Sequence, residues 1–369
     1  MNIANRRLLS QQLISPEFDD PTEVVEWMGA IQAQDYKMMR WAVGIRTRKP
    51  SITEFEKAYN EGKIVRVHML RGTWHLVAGK DYHWMQEICR NRAKRTFYGW
   101  MKANKEEIPE EDETRQCRKI LKEAFRNKSS VTRNEFYELF SKSDLNISTK
   151  KFDYHIRLAE IDGMLCSGDL TTGITPTYSL VSEKIDKNND ILELSHDEAL
   201  ERITLQYFRS HSPATLEDFV WWTGLNKTEC KKGIKMMGDK LTEKTQEGRT
   251  FYIYTKGRTR GVPKSSVLLL PSFDEYLIGY KSRDIVLKPE YQHHAHNKNG
   301  VFYPVVAING QIQGNWKPRS KDGDYSFFTE KNHSKSKLAV AFKNFKEWGV
   351  RIQVKIIPMD RIVLILLIL

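Results

Sequence analysis

The chain has 369 residues, with 59 Lys and Arg against 47 Asp and Glu, and a formal net charge of +12. This length provides for two to four compact units, and the basic surplus favours a polyanionic partner over an acidic one. The four cysteines, at positions 89, 117, 166 and 230, lack the paired spacing of a zinc site or a disulfide framework.

The first segment predicts a short helix that begins near Thr22 and ends near Gly29 or Ile31. Its apolar residues are expected to be buried: Val24, Val25, Trp27 and Met28. Gln32 and Gln34 follow this helix. On a continuing helix their side chains would point about 200° apart, whereas an extended chain turns both to one face. We therefore expect the helix to stop and both amides to face one cleft; the alternative is two surface glutamines at a helix end.

A capping pattern and a hairpin come next. Ser51 precedes Glu54 by three residues, as in a capping box. The elements expected here are a helix at 55–59 and strands at 64–69 and 73–77, joined by the Arg71-Gly72 turn.

The same order of elements recurs in the middle of the chain. Thr132 and Glu135 form a second capping box, and Ser148 or Thr149 opens the next helix. The expected helices lie at 114–125, 132–140 and 149–161, and the expected strands at 164–167 and 177–181. The polar, glycine-rich stretch between these strands predicts the wing of a winged helix.

A third copy follows, with Thr215 and Asp218 as its capping pair. Its expected helices are 199–208, 219–223 and 228–237, and its hairpin joins 241–245 to 250–254 through Glu247 and Gly248. Three copies in one order favour tandem winged helices, and this architecture combined with the positive charge favours a nucleic-acid partner.

After about residue 262 the hydrophobic pattern changes to period two, which is typical of strands. Expected strands are 267–270, 301–308, 311–316, 325–329 and 350–357, and a lysine-rich helix is expected at 337–348. Asn309-Gly310 is a strong hairpin signal. The predicted fold is thus α+β: three tandem winged-helix (helix-turn-helix) units at 1–108, 109–190 and 191–260, followed by a small C-terminal β-barrel at 261–369.

Three sequence motifs resemble those of the AlkZ and YcaQ winged-helix DNA glycosylases, over nearly the whole chain. They are Gln32-Ala33-Gln34-Asp35, Arg71-Gly72-Thr73-Trp74-His75-Leu76, and Leu270-Pro271-Ser272-Phe273-Asp274-Glu275-Tyr276 with Gly279-Tyr280 and Arg283. In that family a Gln-apolar-Gln motif, or Gln-apolar-Asp in the YcaQ branch, is catalytic. The resemblance implies that Gln32 and Gln34 are catalytic, because Asp35 follows the motif and does not replace its last member.

The resemblance also implies the reaction. It is a monofunctional hydrolysis of the N-glycosidic bond of N7-alkylated purines, which extends to bases in interstrand crosslinks, and it needs no metal and no cofactor. A glutamine amide neither takes up nor delivers a proton near neutral pH, so the departing base must already be cationic. The alternative is a winged-helix regulator or architectural protein without catalytic activity, in which these glutamines only hydrogen-bond DNA.

The expected partner is double-stranded DNA that carries alkylated or crosslinked purines, bound by a monomer. The expected DNA contacts are basic side chains chosen by charge and position: Arg71, His75, Arg90, Arg92, Lys94, Arg95, Lys150 and Lys151. Asp274 and Glu275 are interpreted as structural, through capping or pairing with Arg283. His293, His294 and His296 are interpreted as a polar loop and not as a metal site.

The two ends of the chain bear on location. Residues 1–7 are polar and no apolar run follows them, so a cytoplasmic, nucleoid-associated protein without a secretion signal is expected. Residues 362–369 are an unbroken apolar run, too short to span a bilayer, and no function is assigned to them.

Overall fold

The computed structural model describes residues 1–170, 175–330 and 334–349. Its contacts divide the chain into two compact units: unit 1 comprises Met1–Phe55 and the chain from Leu200 onward, and unit 2 comprises Glu56–Ala199. Within the described ranges, every helix is too short or too polar to cross a membrane. The predicted strand at 350–357 and the apolar run at 362–369 lie outside the described residues, and so does part of the predicted second wing.

The protein mixes helices with small antiparallel sheets. The helices are α1 (Ile3–Ser10), α2 (Pro21–Met28), α3 (Met39–Gly44), α4 (Ile52–Asn60), α5 (Tyr82–Ala103), α6 (Glu111–Glu123), α7 (Arg133–Ser141), α8 (Thr149–Ile161), α9 (Val181–Lys184), α10 (His196–His211), α11 (Leu216–Thr223), α12 (Lys227–Met236), α13 (Glu275–Ile278), α14 (Gln292–Ala295) and α15 (Lys335–Gly349). The strands are β1 (Ile31–Gln32), β2 (Ile64–Met69), β3 (Thr73–Ala78), β4 (Val131–Thr132), β5 (Leu165–Ser167), β6 (Thr177–Leu180), β7 (Leu241–Gln246), β8 (Arg249–Tyr254), β9 (Val267–Leu270), β10 (Val305–Ile308), β11 (Gln311–Trp316) and β12 (Tyr325–Phe327). The predicted α+β class is confirmed.

Unit 2 contains the predicted middle copy. The capping box of Thr132 and Glu135 opens α7, and the Ser148 hydroxyl caps α8 by accepting the N–H of Lys151. β4, β6 and β5 form a three-stranded sheet in that order. Three helices pack against it around a core that includes Leu121, Phe136, Phe152, Ile156 and Leu165.

The longest helix of unit 2, α5, is not among the helices predicted above from the sequence. Its buried residues include Met85, Cys89, Ala93, Phe97 and Met101, one every four residues. This spacing places them along one stripe of the helix and was the signal available in the sequence.

Helices and a hairpin lie where the third copy was predicted, from α10 to β8, mostly in unit 1. Thr215 and Asp218 form the capping box of α11, and β7 pairs with β8 in the expected register. Glu247 and Gly248 at the turn have φ of +53° and +71°. Positive φ at both central residues is what a type I′ hairpin turn requires.

The predicted C-terminal barrel is wrong. Within the described residues, the four strands that follow residue 262 form an open sheet in the order β12-β11-β10-β9. Both faces of this sheet are covered: α1 packs on one face through Leu8, and α15 packs on the other through Phe342 and Phe345. Because helices bury each face, the sheet needs no closure to form a core. The Asn309-Gly310 hairpin is confirmed, with φ of +51° and +79°.

Candidate active site

The Gln32 motif begins where a helix ends. α2 stops at Met28, and Gly29 follows with φ of +75°, a conformation that residues with side chains rarely adopt. A Cβ at Gly29 would also lie 3.0 Å from the Cβ of Gln206. The backbone then becomes extended in β1, which includes Gln32. The predicted end of the helix before the two glutamines is thus confirmed.

The two glutamines differ in exposure. Gln32 is 4% exposed, whereas Gln34 is half-buried in the bend that follows β1. The Oε1 atom of Gln34 is buried and has no hydrogen-bond partner within the described part of the chain. A buried carbonyl without a donor is costly for stability, and it is suited to binding water or an electron-poor atom. The approach of both amides to one cleft stays a prediction.

Asp35, directly after the motif, is occupied by structural hydrogen bonds. Its Oδ1 accepts the N–H groups of Lys37 and Met38 at 3.0 and 3.1 Å, and its Oδ2 accepts the Ser272 hydroxyl at 2.7 Å. Burial, together with the nearby charge of Arg319, lowers the pKa of the Lys37 ammonium. These bonds support the assignment of the motif as Gln-apolar-Gln, with Asp35 outside the catalytic pair.

Glu275 is a fully buried carboxylate that contacts the backbone of Gln32. Its Oε1 accepts the backbone N–H of Gln32 at 2.7 Å, and its Oε2 accepts the indole N–H of Trp222 at 3.1 Å. The same Oε2 lies 3.3 Å from Nε2 of His211. Burial lowers the pKa of His211, and the hydrogen bond to Glu275 opposes this effect. The contacts support the structural interpretation of Glu275.

Asp274 anchors the same segment. It accepts the N–H of Tyr276 at 2.9 Å and so caps α13, as predicted. Capping was one of the two predicted roles, the other being pairing with Arg283. The ion pair of Asp274 is with Arg46, and Arg283 donates from Nε to the carbonyl oxygen of Leu277. Arg283 is close to Asp274 in the sequence, but the tertiary fold brings Asp274 to the guanidinium of Arg46, which is 228 positions away.

Arg71 and His75, two predicted DNA contacts, belong to unit 2. They lie on the hairpin of β2 and β3, and their exposed fractions are 5% and 0%. Nδ1 of His75 lies 2.8 Å from the carbonyl oxygen of Thr73, and Arg157 donates to the carbonyl oxygen of Gly72 at 3.1 Å. The contacts of Arg71 and His75 with phosphate stay predictions.

Four of the predicted DNA contacts lie together on α5: Arg90, Arg92, Lys94 and Arg95. Arg92 and Arg95 are exposed, whereas Arg90 and Lys94 are partly buried. The partly buried pair are bound to carboxylates: Arg90 to Glu87, and Lys94 to Asp162. Arg92 and Arg95 are therefore better placed to bind a phosphate than their two neighbours.

Lys150 and Lys151 lie in the first turn of α8 and both form ion pairs. Lys150, whose side chain is 64% exposed, is paired with Glu106. Lys151, 14% exposed, binds Glu113 at 2.7 Å and Glu107 at 3.2 Å. A phosphate would compete with these carboxylates, so both residues stay predictions as DNA contacts.

The three histidines of the 292–297 segment make aromatic contacts. His293 and His294 lie on the short helix α14, with ring centroids 3.9 Å apart, and His294 stacks on Phe328 at 5.0 Å. His296 lies against Phe302 at 5.0 Å. The segment thus contains a helical turn in place of the predicted loop.

Comparison with known proteins identifies the family. The family described as DNA glycosylase AlkZ-like matches residues 25–339 of this chain. The chain belongs to the AlkZ-like DNA glycosylase family. The protein is a DNA glycosylase, and the match begins before the glutamine motif and continues into α15.

Two further comparisons each match this AlkZ-like glycosylase to a protein of Streptomyces sahachiroi. An interstrand DNA cross-link repair glycosylase is 24% identical over 323 residues, which are 84% of this chain and 85% of the relative. The solved structure of DNA glycosylase AlkZ matches with a TM-score of 0.74 and 21% identity, over 95% of this chain and 98% of that one. The second comparison shows a shared fold.

Sequence reasoning left parts of the site without a role. These parts are Ser272, Trp222 and His211, for which no functional role was predicted from the sequence. The signal available was the run from Leu270 to Tyr276, in which a serine and two adjacent carboxylates directly follow a buried strand.

Proposed function

We propose that this DNA glycosylase hydrolyses the N-glycosidic bond of purines alkylated at N7, with Gln32 and Gln34 as its catalytic residues. The observation that carries the proposal is the buried Oε1 of Gln34, which lacks a hydrogen-bond donor in the described residues and lies two positions from Gln32. Membership of a glycosylase family disfavours the alternative of a regulator without catalytic activity.

The chemistry suits an amide pair. A purine alkylated at N7 carries a fixed positive charge, so it departs as a neutral base without protonation. Neither Gln32 nor Gln34 can act as a general acid or base near neutral pH. Their carbonyl dipoles stabilise positive charge on the sugar, and their amides fix a water molecule beside C1′. One such dipole contributes roughly 2 to 4 kcal/mol to the lowering of the barrier.

The reaction balances without a cofactor. The bond between C1′ and the base nitrogen breaks, and its electron pair neutralises the cationic base. Water then adds to C1′ and releases one proton to solvent. The products are the neutral alkylpurine and an abasic sugar in the DNA.

We further propose that the three helix-and-hairpin segments are winged helices that bind duplex DNA. Supporting features are the confirmed capping boxes, the hairpins and the net charge of +12. Exposed basic residues such as Arg92 and Arg95 would neutralise phosphates and release counterions. The internal repetition lets one chain contact an extended duplex as a monomer.

The proposed substrates include interstrand crosslinks joined through N7 of purines. The Streptomyces sahachiroi relative is named as a repair glycosylase for interstrand DNA crosslinks, and it spans most of this chain. Such a substrate has the same cationic leaving group as a simple N7 adduct. We therefore expect the same two glutamines to act on both lesions.

The test is the release of 7-methylguanine from a duplex under single-turnover conditions. We expect Gln32→Ala and Gln34→Ala each to lower the rate constant by about 10- to 1000-fold. Gln116→Ala, at an exposed glutamine of α6, is the matched control and should retain the wild-type rate. Undiminished release by both site variants would refute the catalytic assignment. A crosslinked duplex, assayed in parallel, tests the wider substrate range.

A further inference from the structure

We infer that Ser272 and Glu275 are positioning residues that hold the two ends of the Gln32–Asp35 segment. This inference rests on the proposed function, since it concerns how the proposed catalytic pair is oriented. We call residues Ser272, Phe273, Asp274 and Glu275 the clamp segment.

The clamp segment contacts both ends of the motif. Oε1 of Glu275 accepts the backbone N–H of Gln32 at 2.7 Å. The Ser272 hydroxyl donates to Oδ2 of Asp35 at 2.7 Å. Two residues of the clamp segment thus bind the two ends of the Gln32–Asp35 stretch, which includes both glutamines. Glu275 binds its first residue and Ser272 binds its last.

Backbone geometry explains how one short segment makes both contacts. Phe273 has φ of +57°, in the left-handed region that a residue with a bulky side chain rarely adopts. Phe273 lies in a turn between Ser272 and Glu275, whose side chains bind different ends of the motif. A strained residue persists only where surrounding contacts hold it, and such residues concentrate at functional sites.

The clamp segment is itself rigidly held. β9 leads into it from the buried sheet, and α13 begins at Glu275. Between them, Asp274 binds the guanidinium of Arg46 through two hydrogen bonds of 2.8 and 2.9 Å. The second oxygen of Glu275 is fixed by Trp222 at 3.1 Å. The Asp274–Glu275 end of the clamp therefore cannot move without breaking a buried contact.

Orientation has a direct kinetic consequence in this reaction. Amides that do not exchange protons act only through the placement of their dipoles and of the bound water, and misplacement by about 1 Å costs roughly 100-fold in rate. The clamp segment contains no basic residue. Loss of the clamp should therefore lower the rate of base release without an equal loss of DNA affinity.

The variants are chosen to loosen one contact each. Ser272→Ala removes the hydroxyl, and Ser272→Thr retains it. Glu275→Gln keeps the shape but removes the charge and replaces one acceptor oxygen by an NH2 group. The hydrogen bond from the Gln32 N–H is therefore lost or, where the amide oxygen still faces it, weakened by the loss of charge. Tyr276→Phe is the control, because it removes buried hydrogen bonds made from the same helix to residues outside the motif. These bonds run to the carbonyl oxygens of Gly310 at 2.8 Å and Ala4 at 3.4 Å.

Three quantities are measured for each variant: the single-turnover rate constant for 7-methylguanine release, the Kd for the duplex, and the hydrogen-exchange protection of the Gln32–Asp35 amides. We expect Ser272→Ala and Glu275→Gln to lower the rate constant by about 10- to 100-fold, with Kd within threefold of wild type. Both should also lose protection in this segment. Ser272→Thr should restore the rate, and Tyr276→Phe should retain it.

The outcomes separate the two proposals. If the wild type is active but the clamp variants match Tyr276→Phe in rate, or lose only DNA affinity, the clamp inference is overturned. If the wild type releases no alkylated base, the proposed function is overturned, even where the exchange data show the clamp contacts.

Discussion

Arg46 and Asp274 form a fully buried ion pair, in which two guanidinium nitrogens donate to the two carboxylate oxygens at 2.9 and 2.8 Å. We predict that Asp274→Asn lowers the free energy of unfolding by about 3 to 5 kcal/mol. The reason is that the variant leaves the charge of Arg46 buried without a counter-charge. Chemical denaturation at pH 7 measures the loss.

The exposed pair of Arg48 and Asp19 is the matched control for this prediction. Their side chains are 56% and 43% exposed, so water already solvates both charges. We expect Asp19→Asn to change the free energy of unfolding far less than Asp274→Asn does, because solvent screens the exposed pair. If Asp274→Asn and Asp19→Asn lowered the free energy of unfolding equally, the burial of Arg46 would not be the cause of the loss.

The pH dependence of base release is a second prediction. Neither Gln32 nor Gln34 titrates, and burial lowers the pKa of His211, which keeps this neighbour of Glu275 neutral at and above its usual pKa. We expect the single-turnover rate constant on 7-methylguanine DNA to vary by less than about twofold from pH 7 to 8.5. A bell-shaped profile with an apparent pKa in this range would instead indicate a protein general acid or base.

The third prediction concerns DNA affinity. Lys231 and Lys235 are exposed on α12, the third helix of the third segment. If both contact phosphates, the double alanine variant should reduce the slope of log K against log salt by about 2. The double variant Lys335→Ala, Lys337→Ala removes the same charge from exposed positions of α15. Equal slopes for the two double variants would exclude α12 as a specific phosphate-binding element.

Features set by near neighbours in the chain were predictable. Asn309 and Gly310 specify their turn because both tolerate positive φ, and Thr132 with Glu135 starts a helix because each satisfies the backbone N–H of the other. These are interactions over one to three residues, and the sequence displays them directly.

Features set by distant partners were not predictable in this way. Arg46 and Asp274 are 228 positions apart, and Gln32 and Glu275 are 243 apart. Which buried charges meet depends on how the elements pack, which no local pattern encodes. A period-two pattern likewise predicts strands such as β10 and β11 but not whether their sheet closes. The proposed catalytic role of Gln32 and Gln34 came from family resemblance, because two amides alone carry no distinctive chemical signal.

The last prediction concerns Glu160 in unit 2, a buried carboxylate on α8. Its Oε2 lies 3.1 Å from Nδ1 of His68, and its Oε1 has no hydrogen-bond partner in the described part of the chain. Burial raises the pKa of Glu160 to about 8, although Arg66, Arg133 and Arg157 oppose the rise. The folded protein therefore holds this proton up to about pH 8, whereas the unfolded chain releases it near 4.5, the ordinary pKa of a glutamate.

The sign of the pH effect follows from this difference. Between pH 4.5 and 8 the folded state binds more protons at Glu160, so this group's contribution to stability falls as the pH rises. Glu160→Gln stays neutral and removes that slope. Relative to wild type, the variant should gain about 2 kcal/mol in free energy of unfolding between pH 6 and 8. Urea denaturation at each pH measures the gain, and Glu123→Gln, at an exposed site of α6, should show none. Parallel stability curves for Glu160→Gln and wild type would mean that Glu160 is ionised in the folded protein, and that the three arginines outweigh its burial.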